Sequence, residues 1–227
     1  MLAQRLGLSI NSTRPLGAWS PDDESTLEGW YQNKVGITLN GTDVSEWADS
    51  SSNGHDMAQA TATEQPAYNA STGALTFVPA DTNNLQTTGQ ISLTGDFTIG
   101  VKLNLNAVGG VLMGDNTTSG EFIRFTGTTE LRVRIDNTTA VNISKDSGSF
   151  VGAAYMILTR SSNTLTLYWD GTAQADTETL SGTADIDAIG VRATDLNPYD
   201  GSVSEIQIYS GSSATLTANV NDRLSSL

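Results

Sequence analysis

The 227-residue sequence contains no cysteine, which excludes disulfide staples, thiol chemistry and cysteine-zinc sites together. It contains one histidine, His55, and no Gly-x-Ser-x-Gly elbow. A serine relay therefore has a single base on offer, and a histidine-based zinc centre lacks ligands. Positive charge is scarce too, with 11 Lys and Arg against 25 Asp and Glu, a net charge of −14 and a pI near 4.2. A nonspecific grip on nucleic acid or anionic lipid needs the opposite sign, so neither nucleic acid nor membrane insertion is expected. No apolar run reaches the length of a signal peptide or a bilayer span. Charged residues make up only 16% of the chain, leaving Ser, Thr, Asn and Gly to cover the surface. The six Asn-x-Ser/Thr sequons, at Asn11, Asn40, Asn69, Asn116, Asn137 and Asn142, are read as products of that composition.

What is abundant is a period of two. "FTIGVKLNL" puts Phe97, Ile99, Val101, Leu103 and Leu105 on one face of a strand, and "LRVRI" repeats the pattern with Leu131, Val133 and Ile135 inward. "TLTLYWDGT" aligns Leu165, Leu167 and Trp169 before an Asp170-Gly171 turn, and "YMILTR" with "SSN" supplies the other arm of a hairpin. Helix signals are confined to the ends. Ser20-Pro21-Asp22-Asp23 predicts a short turn, and Leu216, Val220, Leu224 and Leu227 form one helical stripe. The expected architecture is all-β, an antiparallel jelly-roll β-sandwich over 21–227 with a short C-terminal helix. Residues 1–20 read as an N-terminal arm, with Leu2, Leu6, Leu8 and Ile10 beside Arg5 and Arg14.

The stretch "VSEWADSSSNGHD" presents Val44, Trp47, Asp49, Ser51, Asn53 and Gly54 in the order V-x-x-W-x-D-x-S-x-N-G. "EQPAY" adds Gln65, Pro66 and Tyr68; "FVPADTNNL", "DFTIGVKL", "LTLYWDGT" and "YDGSVSEIQIY" follow. This ordered set, from about residue 27 to 227, resembles the laminin-G-like, concanavalin A-like jelly-roll domains, including those of tailed-phage virion proteins. The chain departs from the pattern at Pro79, where a glycine is usual, and in the serine-rich spacer at 48–53. The resemblance implies that Trp47 plugs the space between two sheets, that Asp49 and Asn53-Gly54 cap turns, and that His55 is an ordinary turn residue.

Folds of this kind also carry glycosidases, whose chemistry needs two carboxylates on one sheet face. Asp185 and Asp187 have the i, i+2 spacing but no further acid in series. No catalytic residue is assigned, and a non-enzyme is expected. Among aromatics for a sugar platform, Trp30, Trp47 and Trp169 fall on core positions, leaving Trp19, Tyr68 and Tyr199 as the exposed set. Calcium is common in the family, and "ATDLNPYDG" offers Asp195, Asn197 and Asp200 as hard oxygen donors; the same residues also serve as plain turn formers. No cofactor is required. Arg124, Arg132 and Arg134 lie on neighbouring strands and are read either as cross-strand partners for the protein's own acids or as a docking face for an acidic surface.

The fold type ordinarily works outside cells, yet no export signal is seen, and phage particles are released by lysis. The expectation is therefore a structural or adhesive virion component of a tailed bacteriophage, assembled in the host cytoplasm, as capsid decoration or part of an appendage. Its expected partners are other capsid or tail proteins. The alternative is a carbohydrate-binding module on a phage fibre or bacterial surface, extracellular and facing a host glycan. Self-association stays open.

Overall fold

A computed structural model describes residues 19–117, 120–136 and 140–227. Leu2, Arg5, Leu6, Leu8, Ile10 and Arg14 of the expected arm lie outside the described residues. Among the described residues the strands are β1 Leu27–Tyr31, β2 Ile37–Asn40, β3 Asp43–Trp47, β4 Met57–Ala58, β5 Ala67–Asn69, β6 Ala74–Phe77, β7 Leu85–Leu93, β8 Phe97–Leu105 and β9 Val111–Gly114. They continue as β10 Phe122–Gly127, β11 Glu130–Arg134, β12 Val141–Ser144, β13 Gly152–Ser161, β14 Thr164–Trp169, β15 Thr172–Thr179, β16 Ala184–Ile189 and β17 Gly201–Tyr209. Helix α1, Ala214–Ser225, closes the chain.

Every pairing is antiparallel, and the strands form two series. The back series runs β15-β14-β13-β8-β17; beyond β17 its edge is shared by β6 at residues 201–203 and β1 at 206–209. The front series runs β2-β3-β4-β7-β16-β9-β10-β11-β12. Strand β5 pairs with both β3 and β6, so the two layers are continuous at that margin. This is the antiparallel sandwich with one short C-terminal helix that the period-two pattern predicts.

Alternation fixes which face is which. Phe97, Ile99, Val101, Leu103 and Leu105 of β8 join Leu131, Val133, Leu165, Leu167 and Trp169 in one buried cluster between the layers. The β14–β15 turn is made by Asp170 (φ 47°) and Gly171 (φ 79°); two successive positive φ values match the right-handed twist of the flanking strands. Pro79 opens a single helical turn, Pro79–Asp81, whose chain reverses at Thr82 with φ 52°, so the replacement of glycine is accommodated one turn later.

The serine-rich stretch is a knot of side-chain to backbone bonds. Asp49 accepts from the backbone N–H of Trp30 (2.9 Å), Ser51 (2.8 Å) and His55 (3.1 Å), and from the Ser51 hydroxyl (2.6 Å). Asn53 donates to the carbonyls of Leu27 (2.8 Å) and Glu28 (3.1 Å), tying the loop to β1. Trp47 is fully buried, its ring 5.7 Å from that of Tyr31, and its indole N–H donates to the Gln32 carbonyl at 3.2 Å. His55 accepts from Tyr31 through its backbone carbonyl only.

Helix α1 lies on the outer face of the back series. Ser213 caps it by accepting from the Leu216 N–H at 3.0 Å, and Leu216, Val220 and Leu224 pack with Ile157 and Tyr209. A Cβ at Gly100 would fall 2.5 Å from Val220 Cγ1, so this glycine allows the helix to approach β8. Leu227, expected on the same stripe, lies past the last helical residue and is 42% exposed. Beneath the helix is Glu205, with no exposed surface. It accepts from Arg223 Nε (2.5 Å) and Nη2 (2.9 Å), Trp30 Nε1 (3.2 Å), Gln207 Nε2 (2.9 Å) and the Asn33 N–H (3.2 Å). Removing one partner of a buried ion pair strands the other charge, at a cost of about 3–5 kcal/mol. Arg223→Met should therefore lower stability by that order in chemical denaturation. Adding Glu205→Gln, which keeps an acceptor but removes the charge, should recover part of the loss. A double variant no more stable than Arg223→Met would show that the pair's charge is not what holds the helix.

Candidate functional site

Strands β10 and β11 place Phe122, Arg124, Arg132 and Arg134 on the outer face of the front series, because Ile123, Phe125, Leu131 and Val133 alternate with them into the core. Arg124 stands directly opposite Arg132 across the two strands, and Phe122 opposite Arg134. A fourth arginine arrives from the loop after β16. A Cβ at Gly114 of β9 would meet the Arg192 Cβ at 3.0 Å, so the bare glycine lets this loop lie across the sheet. The Arg192 guanidinium then sits 5.1 Å above the Phe122 ring. Of the six arginines among the described residues, four gather here, while Arg160 and Arg223 brace the interior.

Neutral oxygens hold three of these side chains by their Nε atoms. Arg124 donates to the Gly109 carbonyl (2.8 Å), Arg132 to the Asn142 side-chain oxygen (2.7 Å) and Arg192 to that of Asn197 (3.1 Å). An acid touches the set where Arg132 Nη2 lies 3.6 Å from Glu130, on its own strand. Arg134 and Arg192 make further contacts with their neighbours. For Arg124 and Arg132, cross-strand neutralisation by acids is not what the sheet provides: each faces the other. Burial, then the charges of Arg192 and Arg132, push the Arg124 guanidinium below its ordinary value, and burial and Arg134 do the same to Arg192. Sequence reasoning missed Arg192 because it sits in a turn-rich loop, with nothing local to align it with β10.

Beside this face the acids work as loop staples. Asp187 accepts from the Asn116 N–H (2.5 Å) and the Thr117 hydroxyl (2.7 Å), Asp185 from Ser92 (2.5 Å), and Glu121 from the Asp185 N–H (2.5 Å). Burial is the first cause that raises the Glu121 and Asp187 carboxyls above their ordinary values, with Asp115 and, for Glu121, Asp185 adding repulsion.

Three expectations are corrected. Tyr199, expected to be exposed, is fully buried with its hydroxyl donating to the Asn104 carbonyl (3.2 Å), because its loop folds back under β8. Trp19 and Tyr68 are half-buried rather than exposed, Trp19 against the helix cluster and Tyr68 against the main core. The expected oxygen set is split: the Asn197 side-chain oxygen accepts from Arg192 (3.1 Å) and Asp200 from Asn106 (3.2 Å), while the Asp195 backbone N–H donates to the Asn116 side-chain oxygen (3.3 Å). Among the described residues no three His, Cys, Asp or Glu side chains are grouped as metal ligands. A recess of about 570 Å³ on the opposite side is lined by Asn33, Lys34, Thr72, Lys102 and Asn104. Its lysines donate to the Ser71 (2.7 Å) and Leu224 (3.3 Å) carbonyls, so its cations hold the fold.

A family model described as the concanavalin A-like lectin/glucanases superfamily matches residues 79–218. The chain belongs to that superfamily. No curated protein sequence matches it. Among solved structures, Trypanosoma rangeli sialidase in complex with 2,3-difluorosialic acid aligns with TM-score 0.55 and 14% identity over 95% of this chain and 35% of that one. A point mutant of HCR/D aligns with TM-score 0.54 and 10% identity over 88% of this chain and 52% of that one. Domain 4 of an extracellular arabinanase from Geobacillus stearothermophilus, in complex with arabinotriose, aligns at TM-score 0.48 and 12% identity over 87% of this chain and 97% of that one. The chain spans about a third of the sialidase it matches. At these identities the likeness is one of fold. This concanavalin A-like domain carries its arginine face on the front layer.

Two outcomes follow from the acids. A carboxyl whose folded value is raised binds its proton more tightly folded than unfolded, so its contribution to stability falls as pH rises. The advantage of the unaltered protein over Glu121→Gln should therefore grow as pH drops from neutral through the raised folded value toward the ordinary 4.5. Thermal melts across that range would show it, and a shrinking advantage would contradict the assignment. Because the Asn197 and Asp200 side-chain oxygens are taken up by Arg192 and Asn106, a chelator should leave the melting temperature unchanged. A fall on chelation that Asp200→Ala abolishes would restore the calcium reading.

Proposed function

We propose that this concanavalin A-like domain is a non-enzymatic recognition domain, an adhesive or decorating component of a tailed-phage particle that docks through its front face. The observation that carries the reading is the division of labour among charged groups. The acids near the open sheet face are engaged in holding backbone, as Asp187 and Glu121 illustrate, whereas Arg124, Arg132 and Arg192 on the same layer are each held through Nε by a neutral oxygen. Glycoside hydrolysis needs one carboxyl positioned to protonate a leaving group and a second opposite it. A binding face needs fixed polar groups on a rigid support. The arrangement favours the second.

The phage setting rests on the Ser/Thr/Asn-rich, acidic and cysteine-free composition and on a fold type suited to life outside a cell. The arginine face, with Asn142 beside it on β12, also favours a carbohydrate-binding module, and the two readings share one surface. Antibodies raised against residues 21–227 should label intact particles purified from a lysate in which the protein is made. The purified protein should release no reducing ends from bacterial surface polysaccharides. Particles that carry none of the protein would refute the virion assignment, and turnover abolished by Asp187→Asn would refute the non-enzymatic one.

A further inference from the structure

The front face sets like charges against each other, an opposition that does not serve folding even though each side chain is anchored to the sheet by one bond. Two like charges stand directly opposite each other on adjacent antiparallel strands, where side-chain Cβ atoms are about 4.5–5.5 Å apart and like charges are destabilising. With 25 acids in the chain, an opposing carboxylate would be easily supplied, yet none stands opposite Arg124 or Arg132. Each guanidinium is instead fixed through Nε by a neutral oxygen. That anchorage sets the plane of each fork; the Nη edge of Arg124 is left for a two-oxygen anion, while Arg132 Nη2 lies 3.6 Å from Glu130, a half-exposed contact that an incoming anion would compete with. Among the described residues Arg124 has no carboxylate partner.

We propose that Arg124 and Arg132 form the binding site for an anionic saccharide chain, whose carboxylate or sulfate groups are clasped between the two guanidiniums, with Arg134 and Arg192 continuing the row of arginines at the Phe122 end. The inference rests on the recognition reading above and names its ligand class. A linear polyanion fits better than an acidic protein. A folded partner covers roughly 800 Å² on each side, and so would extend from the strip onto the rest of a chain whose net charge is −14. A saccharide chain is narrow enough to stay on the strip, where Asn142 and Thr126 supply neutral hydrogen-bonding groups on the same outward face. The side of the ring that an exposed aromatic would stack against is absent here, since Phe122 is 8% exposed and already lies under Arg192. Recognition by charge replaces recognition by stacking.

The test uses the whole chain and three probes: an oligogalacturonate, its neutral methyl ester, and a polyglutamate peptide of similar charge. Isothermal titration at low salt should show binding of the oligogalacturonate, at least tenfold weaker binding of the ester, and a loss of affinity as salt is raised. Arg124→Gln with Arg132→Gln should abolish the binding while leaving the melting temperature equal or higher, because the substitution removes a repulsion. Arginines that merely brace the sheet would give a lower melting temperature. Equal binding of ester and acid, unchanged binding by the double variant, or no binding by the folded protein would each overturn the proposal. Binding of polyglutamate in preference to the saccharide would transfer the face to a protein partner and overturn it as well. Reducing ends appearing during the titration would instead strike at the non-enzymatic reading.

Discussion

Glu205 is the group on which the layering depends. A carboxylate without exposed surface must have its charge balanced and its lone pairs filled, and five donors from three segments of the chain do so. Those segments are β1 with its following turn, β17 itself and the last turn of α1. Their shared acceptor fixes the helix over the middle of the back layer, and Gly100 gives it the room to lie there. With that face covered, the open sheet surface belongs to the front layer. The position of the arginine face is thus a consequence of where one buried charge is satisfied.

The electrostatic character of the molecule is uneven in a way that net charge hides. Interior arginines meet carbonyls or a carboxylate and act as fasteners: Arg160 binds the carbonyls of Leu93 (3.0 Å) and Gly182 (2.7 Å) while lying 4.8 Å from the Phe97 ring centroid. On the front face Arg124, Arg132 and Arg192 are each held through Nε by a neutral oxygen, with the Glu130 carboxylate close to Arg132. In an acidic domain such a strip is a local inversion of sign, and at physiological salt its reach is limited to about 8 Å. It acts at contact range and selects for whatever can come that close.

Much of the fold was legible because its signals are local. The alternation in "FTIGVKLNL", the Asp170-Gly171 turn and the V-x-x-W-x-D-x-S-x-N-G stretch each encode a burial pattern or a turn within ten residues or so. Trp47 and Asp49 occupy the positions and do the work that the family resemblance implied. What was not legible depends on partners distant in sequence. Tyr199 looked exposed because its neighbours are turn formers, yet its hydroxyl finds Asn104, 95 positions away. Leu227 fits the helical stripe by count, but α1 ends at Ser225. Arg192 reaches the face only because Gly114 lets a loop cross the sheet. Asn197 and Asp200 share a loop, but their side chains serve Arg192 and Asn106, which spacing along a chain does not reveal.

The Asn53-Gly54 step has a bearing on how the molecule ages. Gly54 carries φ 74° and has open space around its Cα, while Asn53 is exposed and uses its amide nitrogen to donate to two carbonyls of β1. Spontaneous loss of ammonia from an asparagine followed by glycine converts a side chain with two donors into one with acceptors only. At this site the new carboxylate would face the Leu27 and Glu28 carbonyls, turning two attractions into repulsions. The chemistry would leave Trp47 and the core intact and release the loop from the strand, so that time, rather than heat, first loosens the molecule at the serine-rich knot.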